Sequence, residues 1–438
     1  MIKYRLSVVL GWHFGMYPPN NVGKKQNQTW GVISLLRLGA FGFGIAGFFM
    51  AMESVILPVL VMGLVPDGAK NTLLSALGLS GLMVAALVQP IAGWYSDRTR
   101  TRLGRRVPYM IWGCLSVTLG MLGLASAASY ISLFVVWVLI QANASVGFGP
   151  FQALIRDLVP LERLGVASSL KIFSDISGGA ILIAVTGLLL GNFVAGEASY
   201  WLWIALGILG LSLIITAIIS SFIVVPRERA VQRLEPAVWE KLRATSRLNP
   251  QLGWFLLSRY LMISAAFIFP TYGLFYLKDM VQVSNPAHTL GVMIVVIGGV
   301  MLLSVYPAGW VSDRLGRKRV VVVGAVGSAF GLVMMTQALG TLLILVVATF
   351  TAVFVGIMLA GNWALANELG PSGREGQHIG LVSVATISGA GTSKLLGPLV
   401  DLLNMVSTGL GYTVLMIIAG ALFLLGALVL MRVKPVSI

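Results

Sequence analysis

The stretch Gly93-Trp-Tyr-Ser-Asp97-Arg98-Thr-Arg-Thr-Arg-Leu-Gly104-Arg105-Arg106 lies between two long apolar runs, and it returns once, as Gly309-Trp-Val-Ser-Asp313-Arg314-Leu-Gly316-Arg317-Lys318-Arg319. A strongly basic hairpin between segments of membrane length, repeated 216 residues on, leaves few folds open. Short loops rich in Lys and Arg stay on the cytoplasmic side of a membrane. Both copies therefore share a face, and an even number of spans separates them. A second repeat agrees. Residues 153–179 align without gaps on residues 364–390 at an offset of 211, matching Leu158 with Leu369, Pro160 with Pro371, Arg163 with Arg374, Gly165 with Gly376 and Gly178 with Gly389. Shared apolar composition would not match Pro, Arg and Gly, so the chain is two related halves.

With 57% hydrophobic and only 10% charged residues, against about 25% charged in soluble domains, the chain is polytopic. Its formal charge of +15 is dealt out among alternate loops. That is a topology signal and an affinity for anionic lipid headgroups, not the solvated patch that a nucleic acid needs. Assigning each Lys and Arg to its nearer side puts 27 in the cytoplasm and 3 outside, Lys70, Lys278 and Lys394, so both termini are expected inside. Cys114 is the only cysteine, which rules out an intrachain disulfide. His13, His288 and His378 share no metal-ligand spacing, and no phosphate-binding G-x-x-x-x-G-K-[ST] loop occurs. No cofactor, metal or enzymatic activity is expected.

The expected fold is an all-α integral membrane protein of twelve transmembrane helices, arranged as two pseudo-symmetric six-helix bundles. Spans fall at roughly 35–63, 71–96, 107–127, 130–154, 166–192, 199–225, 253–278, 288–311, 319–338, 341–366, 378–402 and 409–431. The domains are then an N-terminal cytoplasmic or interfacial arm (1–31), a first bundle (32–225), a cytoplasmic linker (226–252) with a short surface helix near Trp239, a second bundle (253–431) and a tail (432–438). The apolar run from Leu6 to Tyr17 is too short to span and is not followed by a signal-peptide cleavage pattern.

The duplicated loop resembles the loops between helices 2 and 3, and helices 8 and 9, of the major facilitator superfamily, and the resemblance covers essentially the whole chain after residue 31. The first copy is four residues longer. Its form, Ser96-Asp97-Arg98 followed by Arg102, Gly104, Arg105, Arg106 and Pro108, looks like the sucrose-transporter and glycoside-pentoside-hexuronide branches. The resemblance implies a monomeric, multi-pass secondary transporter of the plasma membrane that works by alternating access, coupling a cation to a sugar or glycoside. One departure matters. Melibiose-type members hold sodium on aspartates in helix 2, whereas residues 73–93 contain no acid. Proton coupling, or none, stays open.

In the loop itself, Asp97 and Asp313 sit at helix C-termini, where the dipole penalises a carboxylate by roughly 0.3–1 kcal/mol. Arg98 and Arg314 could compensate them, as could a helix N-terminus from the other half, for which Gly93 and Gly309 would leave room. With Gly104, Arg105, Arg106, Gly316 and Arg317 these residues form a candidate conformational latch. The plainer alternative is that the charges only fix topology.

An ionisable group at mid-bilayer is costly and marks a functional candidate. Glu53 lies two-thirds along the first span, and a carboxylate in low dielectric takes up a proton readily, as a proton carrier must. Asp175 is a second proton-coupling candidate. Lys171 stands at i−4 to it, so a self-neutralising pair is the rival reading, and its repeat counterpart is the neutral Thr386. Lys394 could bind an anion, pair with Glu53 or snorkel outward; Arg37 and Arg259 read as snorkelling. For a sugar-like solute the binding candidates are Gln89, Gln141, Asn143, Gln152, Asn362, Trp363 and Asn367, each with a rival role as interhelical glue. Partners are then a small solute, protons and lipids. Two rival functions stand beside proton-coupled sugar uptake: proton-antiport export of amphipathic compounds, and a membrane assembly or delivery factor that moves no solute.

Overall fold

The computed structural model describes residues 30–160, 163–191, 198–230, 250–337, 340–369 and 375–433. The greater part of the N-terminal arm, the linker around Trp239 and residues 434–438 lie outside the described residues. The rest is helix: α1 (Val32–Leu64), α2 (Lys70–Arg98), α3 (Val107–Ala125), α4 (Tyr130–Leu158), α5 (Leu164–Leu190), α6 (Ala198–Ala230), α7 (Pro250–Asp279), α8 (Pro286–Leu315), α9 (Arg317–Met335), α10 (Thr341–Glu368), α11 (Glu375–Lys394), α12 (Gly397–Val406) and α13 (Leu410–Met431). Ten of the described helices are long and apolar enough to cross a membrane. α8, and α11 with α12 end to end, supply two more crossings.

Two irregularities have sequence causes. α1 carries a π-helical segment, Met52–Ile56, that ends two residues before Pro58. Proline has no N–H to offer the carbonyl of Ser54, so the ladder must shift register there. The span expected at 378–402 is two helices. Pro398 occupies the first turn of α12, where a missing N–H is harmless, and α11 ends at Lys394.

Helix contacts in the first half recur in the second. α1 packs on α5 and α6 as α7 packs on α11 and α13, and α2 and α3 share α4 as α8 and α9 share α10. The α1–α5 seam is glycine-lined, and a Cβ on Gly47 would run into the backbone carbonyl of Gly178. The two halves meet along α5 with α8, and along α2 with α11 and α12. At the first of these seams Gly187 faces Gly291, backbone to backbone. Between helices already in lipid there is no hydrophobic drive, and small residues are what permit such packing. The ends of the bundle differ in charge. One, the basic face, carries the duplicated loops; the other, the far face, carries the α1–α2 and α7–α8 connections.

Candidate functional site

At the far face, the start of α2 is enclosed by the second half. The residue preceding α2 is Ala69, which has no side chain able to cap it. Asp401 of α12 caps instead, accepting from the amides of Asn71 and Thr72 at 3.3 and 2.7 Å, from the Asn71 side chain at 2.8 Å and from the Thr72 hydroxyl at 2.6 Å. A carboxylate at a helix N-terminus gains from both the dipole and charge-assisted bonding. Beside it Lys70 pairs with Asp279 at 2.7 Å and with Asp67 at 3.0 Å. The Tyr412 hydroxyl donates to Asp279 at 2.6 Å, and Ser75 meets the Tyr272 hydroxyl at 2.8 Å. Lys70, Asn71, Ser75 and Asp401 are buried, so the centre of this network between the halves is out of solvent, while Asp67 stands at its exposed rim.

Deeper along α1 and α11 lies an ion pair. Lys394 Nζ is 2.6 Å from Glu53, with the lysine side chain 4% and the glutamate 28% exposed. The π-helical segment of α1 carries Glu53, and Lys394 is the last residue of α11. Gly78 of α2 makes room, since a Cβ there would collide with the lysine stem. The Tyr272 hydroxyl also lies 3.2 and 3.5 Å from the carbonyls of Ser393 and Lys394. The ion pair and the far-face network thus share one turn of chain.

Each half holds a further polar centre nearer the basic face. In the first, Lys171 pairs with Asp175 at 2.6 Å beneath Phe148 and Phe151. In the second, Arg259 does not snorkel as its position near the start of a span suggests. It is fully buried, hydrogen-bonded to Asn362 and, at 3.0 Å, to the Thr386 hydroxyl, with its guanidinium 4.3 Å from the Trp363 ring centroid. Side chains of α10 and α11 enclose it, so it is held inside the bundle instead of reaching outward. Arg37 is exposed beside Ile219 and Phe222, as a snorkelling arginine should be.

The candidate amides do not converge on one site. Gln152 donates to Gln89 at 3.2 Å across α2 and α4. Gln141 is buried against Gly81 of α2. Asn143 donates to the carbonyl of Leu139 one turn back, which spends its N–H on its own helix. The side chain of Asn367 lies outside the described residues.

At the basic face the expected latch takes another form. Asp97 is compensated by Arg106, at 3.0 Å, and not by Arg98, whose guanidinium stacks 3.7 Å from the Trp94 ring centroid. Arg106 also reaches Asp157 at 2.5 Å and Arg105 reaches it at 2.6 Å, while Glu228 accepts from the backbone amide of Arg105 at 2.9 Å. Gly104 (φ +89°) abuts Glu228, whereas a Cβ on Gly93 would meet nothing within 4 Å among the described residues. In the second half Arg317 pairs with Glu368 at 3.4 Å, and Gly316 turns at φ +90°. The side chains of Gly309 and Asp313 lie outside the described residues, and Arg314 keeps polar contacts of its own. Every pair named on this face stays within one half, because Arg105, Arg106 and Arg317 each find their acids on their own bundle. Asp157 and Glu368 were missed as partners, although the gapless repeat aligns them at its offset of 211.

Comparison with known proteins bears on this architecture. A family model described as MFS/sugar transport protein matches residues 38–370. A multidrug resistance efflux pump, PmrA of Streptococcus pneumoniae, is 26% identical over 343 residues, 77% of this chain and 81% of its own. The sucrose transport protein SUT1 of Oryza sativa subsp. japonica is 29% identical over 168 residues, 33% of this chain and 30% of its own. Among solved structures a D-xylose-proton symporter superposes with a TM-score of 0.69 at 17% identity, over 92% of this chain and 98% of that one.

Proposed function

The chain belongs to the MFS/sugar transport protein family, a group of multi-pass membrane transporters, and from that premise we propose that it moves a small sugar-like solute by proton-coupled alternating access. The basic face is cytoplasmic in this reading, which follows the positive-inside rule, and the far face is external. The halves rock about seams such as α5–α8, closing one face while the other opens.

The observation that carries the reading is the Glu53–Lys394 pair, which joins the two halves deeper in the bundle and adjoins the network that closes the far face. Breaking a buried pair by neutralising one member leaves the other charge uncompensated. A proton arriving on Glu53 therefore releases Lys394 and the turn after it, loosening Tyr272 and the Asp401 cap on α2. Opening of the far face and protonation are then linked, as symport requires. Gln89, Gln152 and Trp363 offer polar groups and an aromatic face to a sugar.

Reconstitution into liposomes with an imposed pH gradient tests this. Glu53→Gln is expected to abolish proton-driven accumulation while preserving solute exchange. Accumulation at the wild-type level in the variant sinks the coupling role of Glu53.

A second reading is proton-antiport export of amphipathic compounds. It draws on the efflux pump that matches 77% of this chain, and on an apolar crevice of about 350 Å³ along the α5–α8 seam lined by Ala180, Ile181, Ala184, Val295 and Gly298. Expulsion of lipophilic cations against a gradient, with no sugar uptake, selects it.

A further inference from the structure

Among the described residues, the polar centre of the second half has more positive charge and more hydrogen-bond donors than its neighbours use. Arg259 is fully buried, and among the described residues no carboxylate lies within ion-pair distance of it. Its partners are neutral: the Thr386 hydroxyl at 3.0 Å, the carbonyl oxygen of the Asn362 side chain, and the Trp363 ring. Asn362 is itself fully buried. With its oxygen turned to Arg259, its side-chain NH2 finds no acceptor among the described residues. A buried cation beside a buried, unanswered donor is an arrangement that asks for acceptor oxygens carrying negative charge.

Internal symmetry supplies an independent argument. Thr386 aligns with Asp175 in the gapless repeat. In the first half Asp175 provides the carboxylate that neutralises Lys171 at 2.6 Å. In the second half the corresponding position bears a hydroxyl and Val382 stands where the first half has Lys171, so the cation there comes instead from Arg259 on α7 and meets a hydroxyl, not a carboxylate. The missing carboxylate is also missing at the place where the first half has one.

We infer that Arg259 and Asn362 receive an anionic oxygen group of the transported solute, with Trp363 covering the guanidinium until the solute arrives. The solute class is thereby an organic anion with a ring or flat face able to lie against Trp363, its charge a carboxylate or a phosphate ester. Arginine suits this role because its planar fork meets two acceptor oxygens at once, whereas lysine is a point charge. Trp363 is half-buried, and Asn362 holds the guanidinium through its side-chain oxygen, which leaves its NH2 for the solute. This inference rests on the transport reading above but not on its coupling ion.

The test is equilibrium binding and thermal shift on the purified full chain with matched probes: D-glucuronate and glucose 6-phosphate, each against D-glucose. A charged probe is expected to stabilise the wild-type protein where the neutral parent does not, by the mass-action shift of a ligand bound only to the folded state. A response to glucuronate alone assigns the carboxylate, and a response to glucose 6-phosphate alone assigns the phosphate ester. Arg259→Gln is expected to weaken binding about a hundredfold, and Arg259→Lys less. Thr386→Asp serves where Arg259→Gln does not fold, because it gives the arginine an internal partner, and it is expected to raise the melting temperature and abolish anion binding. The inference is overturned if neither anion shifts the wild type, if D-glucose binds as tightly as the anions, or if Thr386→Asp binds them like the wild type. Anion binding without proton-driven flux keeps this inference and removes only the coupling role of Glu53.

Discussion

The two faces of the bundle use the same kinds of side chain to opposite ends. At the far face Lys70, Asp279, Asp401 and Tyr412 bond from one half to the other, and deeper in the bundle Lys394 and Glu53 do the same. At the basic face the pairs Arg106–Asp97, Arg106–Asp157 and Arg317–Glu368 each close within one half. The far face is therefore a joint between rigid bodies, and the basic face reinforces each body separately. A mover of solutes needs both, since rocking halves must break bonds at one end without loosening either bundle. The molecule in this arrangement is stitched shut at the far face.

The largest effect is expected where the joint is cut at its cap. Asp401→Ala removes acceptors from two backbone amides and two side chains at the start of α2, all buried or partly buried. Loss of such a cap and its charged hydrogen bonds is expected to cost about 2–4 kcal/mol of the closed state. Opening of the far face is the measurable outcome. With Cys114→Ala to clear the only native thiol, a reporter at Ser75→Cys should label from the far side much faster in the Asp401→Ala background. Equal labelling rates would mean that the far-face network does not hold the halves together.

A reinforcing bond within one half should behave differently. Arg106→Gln breaks contacts to Asp97 and Asp157 and to the carbonyl of Pro150. Arg105 still covers Asp157, so the loss is expected to be about 2 kcal/mol, less than that of an isolated buried pair. It should appear as a lower melting temperature with no change in labelling at Ser75→Cys. If the variant instead changes far-face labelling, the basic-face pairs also govern conformation, and the contrast between the faces dissolves.

How much of this could be read in the sequence follows from the same contrast. The basic face was legible because its residues are close together, duplicated and framed by glycines that turn at positive φ, Gly104 and Gly316. Even the acids answering its arginines, Asp157 and Glu368, leave a trace in the repeat. The far face leaves none. Asp401 lies some 330 residues from the α2 amides it caps, at the end of an apolar run where an acid reads as a span boundary. Lys70 and Asp279 likewise look like ordinary interfacial charges until folding brings them to 2.7 Å. Glu53 and Lys394 stood out singly because each interrupts an apolar stretch, which is expensive in lipid and therefore visible. Arg259 was visible but misjudged, since its burial depends on Trp363 and Asn362, about 100 residues away, turning towards it.

The smallest effect belongs to the residue that the sequence pattern made most conspicuous after the aspartate. Arg98 follows Asp97 in the motif, and proximity along the chain suggests that the two neutralise one another. Adjacent residues on a helix point about 100° apart, however, and Arg98 lies instead along the exposed ring of Trp94, one turn back, donating to the Trp94 carbonyl at 3.1 Å. A solvent-side cation–π contact and a C-terminal carbonyl bond are worth roughly 0.5–1 kcal/mol together. Arg98→Ala is therefore expected to lower the melting temperature by a degree or two at most and to leave both far-face labelling and transport rate near wild type. Arg98→Ala combined with Arg106→Gln should be additive, because the two side chains share no partner. A strongly non-additive double variant, or a transport defect from Arg98→Ala alone, would give Arg98 a role in another conformation of the halves, where the basic face is the closed one and its loop arginines meet partners that the present arrangement keeps apart.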